Sequence, residues 1–213
     1  MKKISVIMAS FLGEYPNAAK QRDKKFKRAV NTFLKQTYEN KELIIVSDGC
    51  TKTYEIYEEN WKDLDNVECI MLPKQVTYSG EVRTEGLKHI TGDIVCYLDN
   101  DDAWGKKHLE TIEKQFTDDV DWVYYDDYLV LSNDFKKLHK RIVEPRFGSI
   151  GTSSIAHRNL DILENGIFSD GYGHDWLAVL NLACKGLNFK KLEETPAYLV
   201  CHWGDVNKGG GDF

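Results

Sequence analysis

The residues best placed to do chemistry lie in GDIVCYLDNDDAWGKKHLE, Gly92 to Glu110. An apolar stretch, Ile94 to Leu98, runs directly into Asp99, Asn100, Asp101 and Asp102. Carboxylates gathered at the mouth of a buried strand repel one another, and a cation among them relieves the repulsion. The spacing Asp99-x-Asp101 suits a hard divalent ion. Mg2+ and Mn2+ take oxygen ligands, and Mg2+ is commonly held by one or two carboxylates plus substrate phosphates. An acidic turn with an aspartate capping the helix expected from about Lys106 explains the same residues without a metal.

Four other places carry candidate chemistry. Asp48, in IIVSDGCT, sits at the tip of an apolar strand, either to accept hydrogen bonds from a base or ribose or simply to form the turn. Arg83, in SGEVRTEGLKHITGD, is a partner for a carboxylate or a phosphate, or an exposed helix arginine. His174 and Asp175 open a helix in GYGHDWLAVLNLACKG. Asp175 there is an N-terminal cap or a general base on a rigid element. Gly171 and Gly173 leave room for a substrate to approach. His202, in YLVCHWG, is a core histidine or a ligand.

The elements that must position these residues alternate in type. Ile4 to Ala9 reads as a strand. Asp23 to Thr37 reads as a helix, with Phe26, Ala29, Val30, Phe33 and Leu34 on one face. Strands are expected at Leu43 to Ser47, Val67 to Leu72 and Ile94 to Leu98, with helices at Tyr54 to Leu64 and Gly80 to Ile90 between them. This order implies a mainly parallel sheet with helices on both faces. Ligands of such sheets sit at the carboxyl ends of the strands, where Asp48 and Asp99 would share a crevice. Further on, Asp121 to Leu131 reads as one long strand or a hairpin. A loop through Pro145, Gly148 and Gly151 follows, then a largely buried helix at Trp176 to Cys184. A last strand lies in AYLVCHWG, and NKGGGDF reads as a flexible tail. We expect one domain over residues 1–205 and a tail over 206–213.

Bulk properties exclude several classes. With 213 residues the chain can bury a sizeable core. No apolar run is long enough for a membrane span, and the apolar start is too short for a signal peptide. The net charge of -6 disfavours a nucleic-acid partner. The basic cluster KQRDKKFKR, Lys20 to Arg28, reads as the solvated face of a helix. Five scattered cysteines with no C-x-x-C pair fit a reduced, cytoplasmic setting.

The pieces, in this order, resemble family-2 glycosyltransferases of the GT-A fold, from Ile4 to about Trp203. SVIMASFLG resembles the family's opening strand and turn. FLKQTYENKELIIVSDGCT resembles its Q-T-Y helix end and its D-D-G-S-T strand end. EVRTEGLKHITGDIVCYLDNDDAW resembles its A-R-N helix and L-D-S-D-D-x-W segment. HDWLAVLNLACKG resembles its E-D helix start, and YLVCHWG its late Y-R-x-H.

The resemblance implies roles. Asp48 would hold the base or ribose of a nucleotide-sugar donor, most commonly a UDP-sugar in the family. Ala9, Ser10, Phe11 and Asn100 would line the substrate, with Arg83 near the nucleotide. Asp99 and Asp101 would be the D-x-D pair, with Asp101 directly on Mn2+ or Mg2+ and His202 able to reach the metal or diphosphate. Asp175 would be the general base for inverting transfer to a hydroxyl, on a growing surface saccharide as the family default. The chain departs from the family at Ala9-Ser10, where Pro-Thr is usual, at Ser47 for the first Asp, and at His174 for Glu.

Two rival readings remain beside this one. A nucleotidyltransferase normally needs a glycine-rich basic loop after the first strand, and FLGEYPNAAK has one glycine. A catalytically inactive nucleotide-sugar-binding module is the other rival. No G-x-G-x-x-G follows any strand, which disfavours a dinucleotide oxidoreductase.

Overall fold

The computed structural model describes residues 1–15, 20–74, 78–132, 134–163, 166–169 and 171–201. His202 and the expected tail lie outside the described residues.

The first half follows the alternation expected from its apolar spacing. Its elements are β1 (Ile4–Ser10), α1 (Arg22–Leu34), β2 (Lys41–Asp48), α2 (Thr51–Asn60), β3 (Val67–Leu72), α3 (Ser79–Leu87) and β4 (Ile94–Tyr97). β2 is buried along its whole length, which is why its middle, Leu43 to Val46, reads as a continuous apolar run rather than an alternating one. The second half holds β5 (Ala103–Trp104), α4 (His108–Glu113), β6 (Trp122–Tyr124), β7 (Asp127–Val130), β8 (Leu138–Arg141), β9 (Ile155–Arg158), α5 (His174–Cys184), β10 (Phe189–Lys191) and β11 (Tyr198–Val200).

Seven strands form one sheet in the order β10-β6-β9-β4-β1-β2-β3. β3, β2, β1 and β4 run parallel, and β9 is inserted antiparallel between β4 and β6. The fold is therefore α/β with a large, mostly parallel sheet. One apolar cluster joins β1, β2 and β4 to α1, and a second joins the sheet to α5.

Four expectations need correction. Asp121 to Leu131 is neither one strand nor a hairpin. β6 joins the large sheet, and β7 joins a second sheet ordered β5-β11-β7-β8. The chain changes sheet at Tyr125 and Asp126. The stretch read as a plain loop contains β8 and leads into β9. α5 is one-sided: Ala178, Val179 and Leu182 are buried, whereas Leu180, Ala183 and Cys184 are exposed. The basic cluster is not a purely solvated face, because Lys25 and Arg28 are buried against the acidic turn.

Candidate active site

The carboxyl ends of β1, β2 and β4 surround a cavity of about 680 Å³. Its wall includes Ala9, Ser10, Phe11, Asp48, Lys74 and Asn100. Asp48 is the last residue of β2. The Ser47 hydroxyl accepts from the Cys50 N–H at 3.2 Å and donates to the Cys50 carbonyl at 2.9 Å, folding the turn that presents Asp48. Ser47 thus fixes backbone where an aspartate was expected. Gly49 has φ +58°, and a Cβ there would lie 2.4 Å from the Lys74 backbone. That close approach lets Lys74 Nζ sit 2.5 Å from Asp48 Oδ2. The same ammonium lies 4.3 Å from the centre of the Phe11 ring. Ser10 Oγ accepts from Asn100 Nδ2 at 3.1 Å and lies 3.0 Å from Thr53 Oγ1, which ties the opening turn to the acidic one.

The acidic turn is held from three sides. Arg28 Nη2 donates to the Asp101 carbonyl. The Asp99 N–H donates to the Tyr198 hydroxyl at 3.1 Å, and the Cys201 N–H donates to Asp102 Oδ1 at 2.7 Å. Asp102 is 3% exposed. Burial, with Asp101 and Asp99 close by, pushes its carboxyl well above the usual carboxylate range. Asp102 therefore shapes the turn, while Asp99 and Asp101 stay partly open to solvent. The charge that a metal was expected to offset is met in part by protein cations. Arg83 pairs with Asp99. For Lys25, burial lowers the ammonium pKa more than the nearby Asp101 raises it.

Arg83 links this turn to the candidate base. Its guanidinium is 5% exposed and bonds Asp99 through Nη2. Its Nη1 lies 3.9 Å from Asp175 Oδ1 and donates to Ser79 Oγ at 2.9 Å. Burial alone would lower the Arg83 pKa, but Asp99 and Asp175 raise it. Ser79 Oγ is 3.1 Å from His174 Nε2. Ser79 Oγ, which accepts from Arg83, thus also ties the imidazole of His174 to the guanidinium. Nδ1 is 2.8 Å from Asp175 Oδ1, though off the line of a hydrogen bond. The Thr152 hydroxyl donates to the same oxygen. Burial pushes the Asp175 carboxyl up, but His174, Arg83 and Thr152 outweigh it and hold it below its ordinary value. Among the described residues these contacts all fall on Oδ1, so Oδ2 is the oxygen available to a substrate.

The structure thus joins Asp99, Arg83, His174 and Asp175 in one network, and places Asp48, Asn100 and the opening turn around the adjoining cavity. It does not test His202. Sequence reasoning missed Lys74, Ser79, Thr152 and Tyr198, none of which has a spacing that marks it. As metal ligands, Asp99 and Asp101 offer the oxygen donors a hard cation prefers. Among the described residues no group of three His, Cys, Asp or Glu is arranged to hold a metal. Two carboxylates would need phosphate oxygens and water to complete a shell, which fits Mg2+ bound with a diphosphate.

Among the described residues no helix is long and apolar enough to cross a membrane, and none of the five cysteines forms a disulfide. The family described as glycosyl transferase family 2 matches residues 18–177. A glucosyl-dolichyl phosphate glucuronosyltransferase of Haloferax volcanii is 29% identical over 123 residues, 57% of this chain and 36% of that protein. An amylovoran biosynthesis glycosyltransferase of Erwinia amylovora is 28% identical over 199 residues, 82% of this chain and 65% of that protein. Among solved structures, S. aureus TarS 1-349 in complex with UDP-GlcNAc superposes with a TM-score of 0.71 at 21% identity, covering 93% of this chain and 58% of that one. The mannosyltransferase PcManGT from Pyrobaculum calidifontis, in complex with GDP-Man and Mn2+, gives 0.65 at 16% identity, covering 94% and 57%. The chain therefore spans less than two thirds of the length of these relatives, and the likeness to TarS carries the GT-A fold. With that fold and a family match over most of its length, the chain belongs to glycosyl transferase family 2.

Proposed function

We propose that this chain transfers a glycosyl group from a nucleotide-sugar to an acceptor hydroxyl, with inversion at the anomeric carbon. The observation that carries the reading is Asp175. It is an ionised carboxylate at the start of α5, held through Oδ1 and open at Oδ2, and it is joined through Arg83 to Asp99 beside the 680 Å³ cavity.

In this reading the nucleoside lies in the cavity, with Asp48 and Lys74 on its polar edge and Phe11 beneath. The acceptor hydroxyl gives its proton to Asp175 Oδ2 as its oxygen attacks the anomeric carbon. The bond to the diphosphate breaks on the opposite face. Arg83 fixes the carboxylate, and positioning supplies much of the remaining rate. Mn2+ or Mg2+ held by Asp101 and Asp99 would offset charge on the departing diphosphate. A UDP-sugar is the first donor to test, because the TarS structure holds UDP-GlcNAc; GDP-sugars are the second, from the GDP-Man complex. The relatives' names, including an Escherichia coli glucosyltransferase acting on a diphosphoundecaprenol-linked sugar, favour a surface or lipid-linked saccharide acceptor. We take residues 1–205 as one catalytic domain working in the cytoplasm.

Thermal shift with UDP- and GDP-sugars, with and without Mn2+, tests the donor side, since a bound donor raises stability by mass action. A rise with one nucleotide series supports the reading. No rise with any nucleotide-sugar overturns it. Release of nucleoside diphosphate coupled to sugar transfer separates an active enzyme from an inactive binding module.

A further inference from the structure

A second, smaller hollow of about 170 Å³ lies against Asp175. Phe147, Ile150, Tyr172, His174, Asp175 and Trp176 are in its wall. Two of these are large rings left in water: Phe147 is 59% exposed and Tyr172 is 83% exposed. Two exposed aromatics of this size lining one hollow with a half-buried carboxylate mark a surface with a further task. The backbone is shaped for them. Gly173 has φ +87°, and a Cβ there would meet the Phe147 ring at 3.1 Å. The positive φ favours glycine, and without a Cβ there the ring lies close over the start of α5, beside His174 and Asp175.

We propose that Phe147 and Tyr172 form a stacking platform for the reacting sugar ring of a saccharide acceptor. This deepens the transferase reading and rests on it. The hollow holds Asp175, so its occupant must present a hydroxyl there. A pyranose has an apolar C–H face and a hydroxyl edge. The C–H face suits the electron-rich faces of the two rings, and the edge turns a hydroxyl to Oδ2. A phosphate is excluded from this position by the Asp175 charge. The modest volume admits one ring, so the platform reads the terminal unit of the acceptor.

The test uses saturation-transfer NMR on the whole chain with UDP present. The probes are a panel of methyl pyranosides and octyl glucoside below its micelle concentration. Wild type is expected to transfer saturation to ring C–H protons of a pyranoside. Tyr172→Ala and Phe147→Ala are each expected to weaken that binding about tenfold, while Tyr172→Phe preserves it. UDP affinity stays the same in all three, because neither ring lines the larger cavity. If pyranosides bind with equal affinity to the alanine variants, or do not bind at all while UDP does, the platform is overturned and the transferase reading stands. Saturation confined to the octyl chain also overturns it, by assigning the rings to an aglycone. If UDP does not bind, the same spectra are taken with GDP, and if neither nucleotide binds both readings fall together.

Discussion

Arg83 and Asp175 come from helices more than ninety positions apart, yet Nη1 and Oδ1 lie 3.9 Å from each other. The same guanidinium is bonded to Asp99. A fully enclosed arginine thereby couples the acidic turn after β4 to the first turn of α5. The contact is the hinge of the site: together with His174 and Thr152, Arg83 holds the Asp175 carboxyl below its ordinary value in spite of its burial.

Arg83→Ala is therefore expected to cost stability as well as activity. Breaking an enclosed ion pair from one side costs about 3–5 kcal/mol. The side chains of Asp99 and Asp175 are each 36% exposed, and solvent screening brings the expected loss to about 2 kcal/mol. Arg83→Lys keeps the charge but cannot reach Asp99 and Ser79 with one planar fork, so it is expected to recover only part. Urea unfolding of the three proteins checks this; equal midpoints would show that Arg83 is a spectator.

Thr152→Val tests how Asp175 is tuned. The Thr152 hydroxyl helps hold the Asp175 carboxyl below its ordinary value. A depressed carboxyl adds stability above its unfolded value, about 3.9, and loses it as pH falls through the folded value. Removing the hydroxyl moves the folded value up. The acid limb of the kcat/KM profile is expected to shift to higher pH, and the stability lost on acidification, which begins near the unfolded value, to be smaller and to end at a higher pH. An unmoved acid limb would mean that Asp175 does not control the rate.

Asp48→Ala is expected to weaken nucleotide binding by about 1–3 kcal/mol, the range for leaving a partner group unpaired. Lys74→Met separates two roles for the ammonium, which lies 2.5 Å from Asp48 Oδ2. Weaker binding in Lys74→Met means that Lys74 holds the nucleotide; tighter binding means that it must be displaced from Asp48. Calorimetry with UDP reads both. Equal affinity in Asp48→Ala and wild type would make Asp48 a turn residue only.

Asp101→Asn bears on the cation. Its backbone is already fixed by Arg28, so the fold is expected to survive. Dependence of UDP affinity on Mn2+ or Mg2+ is expected to disappear while metal-free affinity remains. Unchanged metal dependence would remove Asp101 from the metal site.

The parts of this site that could be read in the sequence are those whose role is set locally. Asp48 and Asp99 follow apolar strands directly, and Asp175 sits between a glycine pair and an apolar helix. Arg83 lies within a recognisable helix. The unread parts depend on pairings distant in the chain. β5 and β11 have two and three residues, and Trp104 pairs with Tyr198 across the length of the second half. The last strand was legible in AYLVCHWG, but β5 is too short to carry periodicity and nothing local names the strands that β11 pairs with, so the small sheet and the Tyr198 hydroxyl on Asp99 were invisible. The change of sheet at Tyr125 and Asp126 was hidden because the segments on either side, WVYY and YLVL, are rich in the same aromatic and β-branched or aliphatic residues. Lys25 and Arg28 looked solvated because their partners, Asp101 and its neighbours, lie more than seventy positions away.

The most direct measurement is single-turnover transfer with donor saturating, comparing wild type with Asp175→Asn on an acceptor that wild type uses. Asp175→Asn is expected to bind donor as wild type does and to transfer the sugar about 10²–10⁴-fold more slowly, the usual cost of losing a general base. Transfer by Asp175→Asn at near the wild-type rate would contradict the account and leave Asp175 as no more than an acidic residue in the first turn of α5.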